Sequence, residues 1–198
     1  MYGLVAINVV VFLHEIGFVH DGAREAFINA YALIPFDLTH GVQLAPPAPP
    51  TPLTLVTSQF LHGSVLHIFF NMLFLLVFGP EIEFVFGHVR FVVFYLICGI
   101  IGGLAETSVT FDSHVPGIGA SGAIAGVLGA YLVRFPTRGI GTVVIGLWAL
   151  AQFVHGFGSL SDRVLSEQGG GTAYFAHIGG FLAGIFLISV LLLRRYDG

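Results

Sequence analysis

PGIGASGAIAGVLGAYLVRF, residues 116–135, is apolar almost throughout, yet it carries one serine set among glycines and alanines. Ser121, Ala125 and Gly129 recur every four residues, and so do Gly122, Gly126 and Ala130. On a helix this spacing lays small side chains along faces where a neighbouring backbone can approach closely, which is how helices associate in lipid. Ala176, Gly180 and Gly184 repeat the spacing near the C-terminal end. The two segments are therefore expected to be neighbours. Ser121 itself has two readings at this point, a small packing residue or a nucleophile at the start of a membrane helix.

Composition sets the class. Hydrophobic residues make up 56% of the 198 and charged residues 9%, against roughly 25% charged in a soluble domain. That is too little charge to wet a surface, so the chain reads as an all-α polytopic membrane protein lying in the lipid bilayer. The net charge is −4, and the seven basic residues are all arginine. No basic patch points to nucleic acid as a partner. The single Cys98 sits in an apolar run and is expected to be a small buried hydrophobe without an internal disulfide. No cleavable signal peptide is expected, because the N-terminus lacks a basic leading region. Residues 1–198 are read as one membrane domain.

Six apolar segments are legible, at about 2–18, 64–80, 89–106, 119–134, 140–158 and 172–193, judged against the roughly 20 residues that span a bilayer. Between the first two lies a long connection, about 19–60, which includes "APPAPPTP", a composition that favours extended polyproline geometry. A connection of that length is usually functional or disordered. With both termini cytoplasmic, Arg90, Arg134, Arg138, Arg194 and Arg195 fall inside, and Arg24 and Arg163 fall outside. That excess fits the positive-inside rule and places the long connection and Ser121 in the external half. The missing targeting extension favours a prokaryotic cytoplasmic membrane.

Three polar groups interrupt the apolar segments. Ser121 in "GASG" falls where unpaired backbone N–H groups and the helix dipole favour negative charge, so a tetrahedral oxyanion formed there would find donors. The motif is not the G-x-S-x-G elbow of soluble hydrolases, since position 123 is alanine. His177 in "AHIGGFLAG" shares a face with Gly180 and Gly184, so it points toward the helix packed on that face. It either makes an interhelical hydrogen bond or acts as a base beside Ser121. His67 and Asn71 in "FLHGSVLHIFFNMLFL" lie one turn apart and can donate hydrogen bonds. They either seal one helix against another or join the Ser121 backbone N–H in an oxyanion hole. His62 lies nearer the external end and reads as structural. With no acidic residue at comparable depth near His177, a Ser–His dyad is more economical than a triad. A metal is not expected: His14-Glu15 is not followed by the second histidine of H-E-x-x-H, and a zinc site at His62, His67 and His177 would leave the serine motif unexplained. No cofactor is expected either.

Taken together, "LHGSVLHIFFNMLFLLVFG", "GPEIEFVFGHVRFVVFYL", "GASGAIAGVLGAYL" and "AHIGGFLAG" resemble the rhomboid family of intramembrane serine proteases over about 55–185. The resemblance implies a six-transmembrane-helix rhomboid-like bundle that cleaves transmembrane protein substrates. By motif Ser121 matches the nucleophile, His177 the base, and His67 and Asn71 the oxyanion positions. Glu83 matches a carboxylate that braces the cytoplasmic end of the second membrane helix. Gly119 and Gly122 are structural, and Gly117 with Gly119 is expected to let the loop before the serine turn tightly. Two departures stand out. Some members carry an aromatic residue one turn after the serine, against which the histidine stacks; here that residue is Ala125, so other contacts must orient His177. The first external loop also lacks an obvious Trp-Arg pair. Three readings compete: an active protease, an inactive rhomboid-like protein that binds membrane helices, and a small channel or transporter. The last predicts internal repeats, and neither half of the chain echoes the other. The oligomeric state is not legible.

Overall fold

The computed structural model describes residues 1–18, 21–42, 49–165 and 173–196. In chain order its helices are α1 (Tyr2–Ile16), α2 (Asp21–Tyr31), α3 (Pro35–His40), α4 (Thr54–Thr57), α5 (Val65–Phe86), α6 (His88–Val109), α7 (Ser121–Arg134), α8 (Gly139–Leu165) and α9 (Tyr174–Tyr196). Among the described residues there is no strand, only an isolated antiparallel bridge between Leu33 and Gly117. The fold is an all-α membrane bundle. Four helices, α5, α6, α8 and α9, are long and apolar enough to cross a membrane, and α1 and α7 are shorter apolar helices. These six are the six segments read from the sequence.

The stripe of small residues puts α7 at the centre. Every residue from Gly122 to Tyr131 is buried, as only a helix wrapped on all sides can be. Its tightest neighbour is α9, with α6 against both. A Cβ placed on Gly180 would strike the Gly122 carbonyl, one on Gly184 the Gly126 carbonyl, and one on Gly129 the Phe181 carbonyl. Gly126 sits equally close to Cys98 of α6, which is fully buried and unpaired. Backbones this close gain dispersion contacts along the whole seam, the term that holds helices together when lipid removes the hydrophobic drive. The stripe that meets α9 is Gly122, Gly126 and Gly129, while Ser121 and Ala125 face a cavity.

The outer helices show the opposite face. On α8, Leu147, Leu150, Val154 and Phe157 are exposed at helical spacing, and on α6 so are Val89, Val93, Ile97 and Ile101. In water such stripes would drive aggregation; against acyl chains they cost nothing.

Local chemistry sets the ends. Ser64 caps α5, its hydroxyl accepting from the His67 N–H at 3.1 Å. The helix runs through Pro80 to Phe86, past the boundary of 80 read from the sequence, and closes at Gly87, whose φ of 77° makes the turn into α6. Just before that turn Glu83 Oε1 lies 3.0 Å from His88 Nδ1 and also accepts from the Met1 nitrogen, tying the ends of α1, α5 and α6 together.

The long connection, read from the sequence as functional or disordered, is largely helical among the described residues. It carries α2, α3, α4 and two 3₁₀ turns, Thr51–Leu53 and Ser58–Phe60. The reason is local: "DGAREAFINAY" is rich in good helix formers, and α3 has Pro35 at its first position and Gly41 in the left-handed conformation after its end. Of the proline stretch, residues 45–48 lie outside the described residues. Pro50 keeps extended angles (φ −49°, ψ 135°), and the chain coils into a 3₁₀ turn directly after it.

Candidate active site

The segment before α7 is threaded under constraint. The Gly117 N–H donates to the Leu33 carbonyl at 2.7 Å, the Gly117 carbonyl accepts from the Leu33 N–H at 3.0 Å, and the Gly119 N–H donates to the Ser58 carbonyl at 2.9 Å. Gly119 has φ 125°, and a Cβ there would stand 2.8 Å from the His67 ring. Both the angle and the space require glycine. Gly117 differs from expectation: its φ is not positive, and its need is the close approach of the Leu33 carbonyl, 3.2 Å from a would-be Cβ. Ala120 stands at the N-cap of α7 and offers no side-chain acceptor. The first N–H groups of α7, that of Ser121 included, therefore have neither an intrahelical nor a capping partner.

Ser121 and His177 meet across the α7–α9 seam. The Ser121 hydroxyl lies 2.8 Å from His177 Nε2, a distance at which the O–H donates to an unprotonated ring nitrogen. Both line a cavity of about 580 Å³ together with His67, Asn71, Ala125 and Trp148. Asn71 Nδ2 donates to the His67 carbonyl at 3.0 Å, which leaves its second amide hydrogen free to turn inward. Gly122 lies in the seam, its carbonyl against Gly180.

His62 backs this wall without lining the cavity. It is fully buried, edge-on to the His67 ring at 5.0 Å, and its backbone N–H donates to Glu15 Oε1 at 3.2 Å. Burial, with the neighbouring His67 second, pulls its imidazole down from 6.5 to about 4, so it is neutral at ordinary pH. Arg24, read from the sequence only as an external charge, donates to the His62 and Gly63 carbonyls at 3.4 and 3.1 Å.

Four side chains here escaped the sequence reading. Gln152 Oε1 of α8 lies 2.7 Å from His177 Nδ1. Trp148, one turn earlier, places its ring centroid 5.7 Å from that of His177. The signal was a lone amide in an apolar span, four residues after the chain's one tryptophan. Glu106 of α6 accepts from the Phe175 and Ala176 N–H groups at 3.0 and 3.3 Å, so an acidic residue does reach the start of α9, but it holds the backbone before His177 and not the ring. Glu15, buried in α1, braces the turn at His62.

A family model described as the Rhomboid domain matches residues 50–194. RHOMBOID-like protein 4 of Arabidopsis thaliana is 36% identical over 149 residues, covering 73% of this chain and 35% of that protein. Rhomboid protease GluP of Bacillus subtilis (strain 168) is 35% identical over 147 residues, 71% of this chain and 26% of its own. The putative rhomboid protease YdcA of the same organism is 33% identical over 149 residues, 72% of this chain and 68% of its own. The chain thus spans about a third to a half of the length of several curated relatives it matches. With a family model over most of its length, an apolar helical bundle and relatives named as proteases, this multi-pass membrane protein belongs to the rhomboid family.

Proposed function

We propose that the chain is an intramembrane serine endopeptidase that cleaves transmembrane proteins near the external membrane face with Ser121 and His177. The observation that carries this reading is the 2.8 Å approach of the Ser121 hydroxyl to His177 Nε2 within a cavity. As Ser121 Oγ attacks the scissile carbonyl carbon, its proton passes to Nε2, and the carbonyl electrons move onto oxygen. The Ser121 backbone N–H, the His67 ring and the Asn71 amide stabilise that oxyanion. Collapse breaks the C–N bond, and the leaving amine takes the proton from His177. Water, deprotonated by the same imidazole, then releases the acyl group and restores Ser121. Glu83, His62, Gly119 and Gly122 hold the frame.

Substrate helices must unwind locally to expose a carbonyl, so segments with small, helix-weakening residues are preferred. Residues 1–198 act as one rhomboid-like unit with both termini cytoplasmic, in a prokaryotic inner membrane. The test is labelling of the detergent-purified protein with a fluorophosphonate, with the modified residue mapped by mass spectrometry. Label on Ser121 that disappears in a folded His177→Ala variant supports the dyad. No label on the folded wild type turns the assignment toward a catalytically inactive rhomboid-like protein that binds membrane helices.

A further inference from the structure

We infer that Gln152 and Trp148 of α8 are the positioning residues of His177: the amide fixes which ring nitrogen carries the proton, and the indole fixes the plane of the ring. The inference rests on the serine protease reading of the site and adds α8 to the helices that build it.

A neutral imidazole bears one N–H, and only the nitrogen without it can accept from Ser121. Gln152 Oε1 lies 2.7 Å from Nδ1. An amide oxygen only accepts, so this contact is a hydrogen bond only when Nδ1 carries the hydrogen. Nε2, 2.8 Å from Ser121 Oγ, then keeps its lone pair for the serine proton. The opposite tautomer would set a lone pair against the Gln152 oxygen and an N–H against the hydroxyl hydrogen. With its oxygen turned to Nδ1, as it stands here, the amide therefore favours the reactive form of the base. It does so without a formal charge, which at this position would carry a desolvation cost that a carboxylate must meet.

The second constraint is rotational. A hydrogen bond at each nitrogen still lets an imidazole swing about the axis joining them. The Trp148 indole limits that swing, 5.7 Å from the ring centroid and tilted by 42°. It is itself held against Phe181 at 6.3 Å. Ala125, beside Ser121 in the cavity wall, has only a methyl group and offers the ring no such surface. Gln152 and Trp148 are four residues apart, so one face of α8 presents both. The helix that carries the serine and the helix that carries the histidine thus leave the base's orientation to a third. That third helix is the least buried of the four long apolar ones.

The experiment measures second-order rates of fluorophosphonate labelling at Ser121 in wild type, Gln152→Leu, Gln152→Glu and Trp148→Ala, with melting curves for each. The His177 tautomer is read by ¹⁵N NMR of histidine-labelled protein and assigned by difference with His177→Ala. Gln152→Leu is expected to slow labelling about 10- to 100-fold, short of the 10²–10⁴-fold typical for losing general base catalysis outright, and to move the ¹⁵N signature away from the Nδ1–H form. Gln152→Glu keeps an acceptor oxygen in either protonation state and restores most of the rate. Trp148→Ala slows labelling with the tautomer unchanged. A Gln152→Leu protein that melts like wild type, labels at the wild-type rate and keeps the Nδ1–H tautomer overturns the inference while leaving the dyad standing. If Gln152→Leu does not fold, a Gln152→Glu protein that folds yet labels as slowly as His177→Ala overturns it, and one that labels near the wild-type rate supports it. Absence of Ser121 labelling in the wild type removes both.

Discussion

A hydroxyl, an imidazole and an amide in line across three helices have little energy individually, and what matters is the direction each hydrogen points. Asn71 illustrates this. One of its amide hydrogens is spent on the His67 carbonyl and the other is free to meet an oxyanion. Asn71→Ala is expected to lower turnover of a transmembrane substrate about 10²- to 10³-fold with little change in melting temperature, the usual cost of one oxyanion donor. A large loss of stability with unchanged turnover per folded molecule would instead make it a helix-sealing residue. His62 is the site's pH liability. Its folded pKa of about 4 lies below the ordinary 6.5, so the unfolded chain binds the proton more readily. The stability contributed by keeping this imidazole neutral is present above pH 6.5 and is lost progressively as pH falls toward 4, on the order of 3 kcal/mol in all. Melting midpoints between pH 7 and 4.5 are expected to fall less steeply for His62→Phe than for wild type; equal slopes would refute this account.

At the scale of elements, the α7–α9 seam is built from carbonyls resting on glycines. Gly184→Ala drives a methyl group into the Gly126 carbonyl, so the helices must separate. We expect a loss of about 1–3 kcal/mol, as for other overpacked interiors, and slower labelling of Ser121, because His177 rides on the same helix. Gly146→Ala on α8 is the control: nothing lies within 4 Å of the new methyl group, so a gain of up to about 1 kcal/mol in helix propensity is expected. Thermal melts in detergent separate the two, and equal shifts would mean that the seam can relax.

For the whole molecule, the proposed direction through the membrane rests on the arginine distribution. Cys98 is fully buried, so cysteines placed at exposed Asp112 and Thr137, on either side of α7, can be read without removing it. In intact cells Asp112→Cys is expected to react with a membrane-impermeant maleimide, and Thr137→Cys only after permeabilisation. The reverse pattern would invert the proposed topology and put the cavity on the cytoplasmic side.

What the sequence determined by itself was whatever a single helix can state alone. Apolar length gave the six bundle segments, glycine spacing gave the α7–α9 pairing, and polar residues set in apolar runs singled out as candidates Ser121, His177, His67 and Asn71, which line one cavity. What only the tertiary structure decided was every relation that depends on how one helix is rotated and shifted against another. Gln152 meets His177 although 25 positions separate them, and Glu106 caps α9 from 69 positions away. Glu15 reaches the turn at His62 across 47. Helical periodicity assigns each of these residues to a face, but which face meets which is settled by close packing of all the helices at once. The serine and histidine were legible because their own helices announce them; the amide that meets the histidine was not, because it stands on a third.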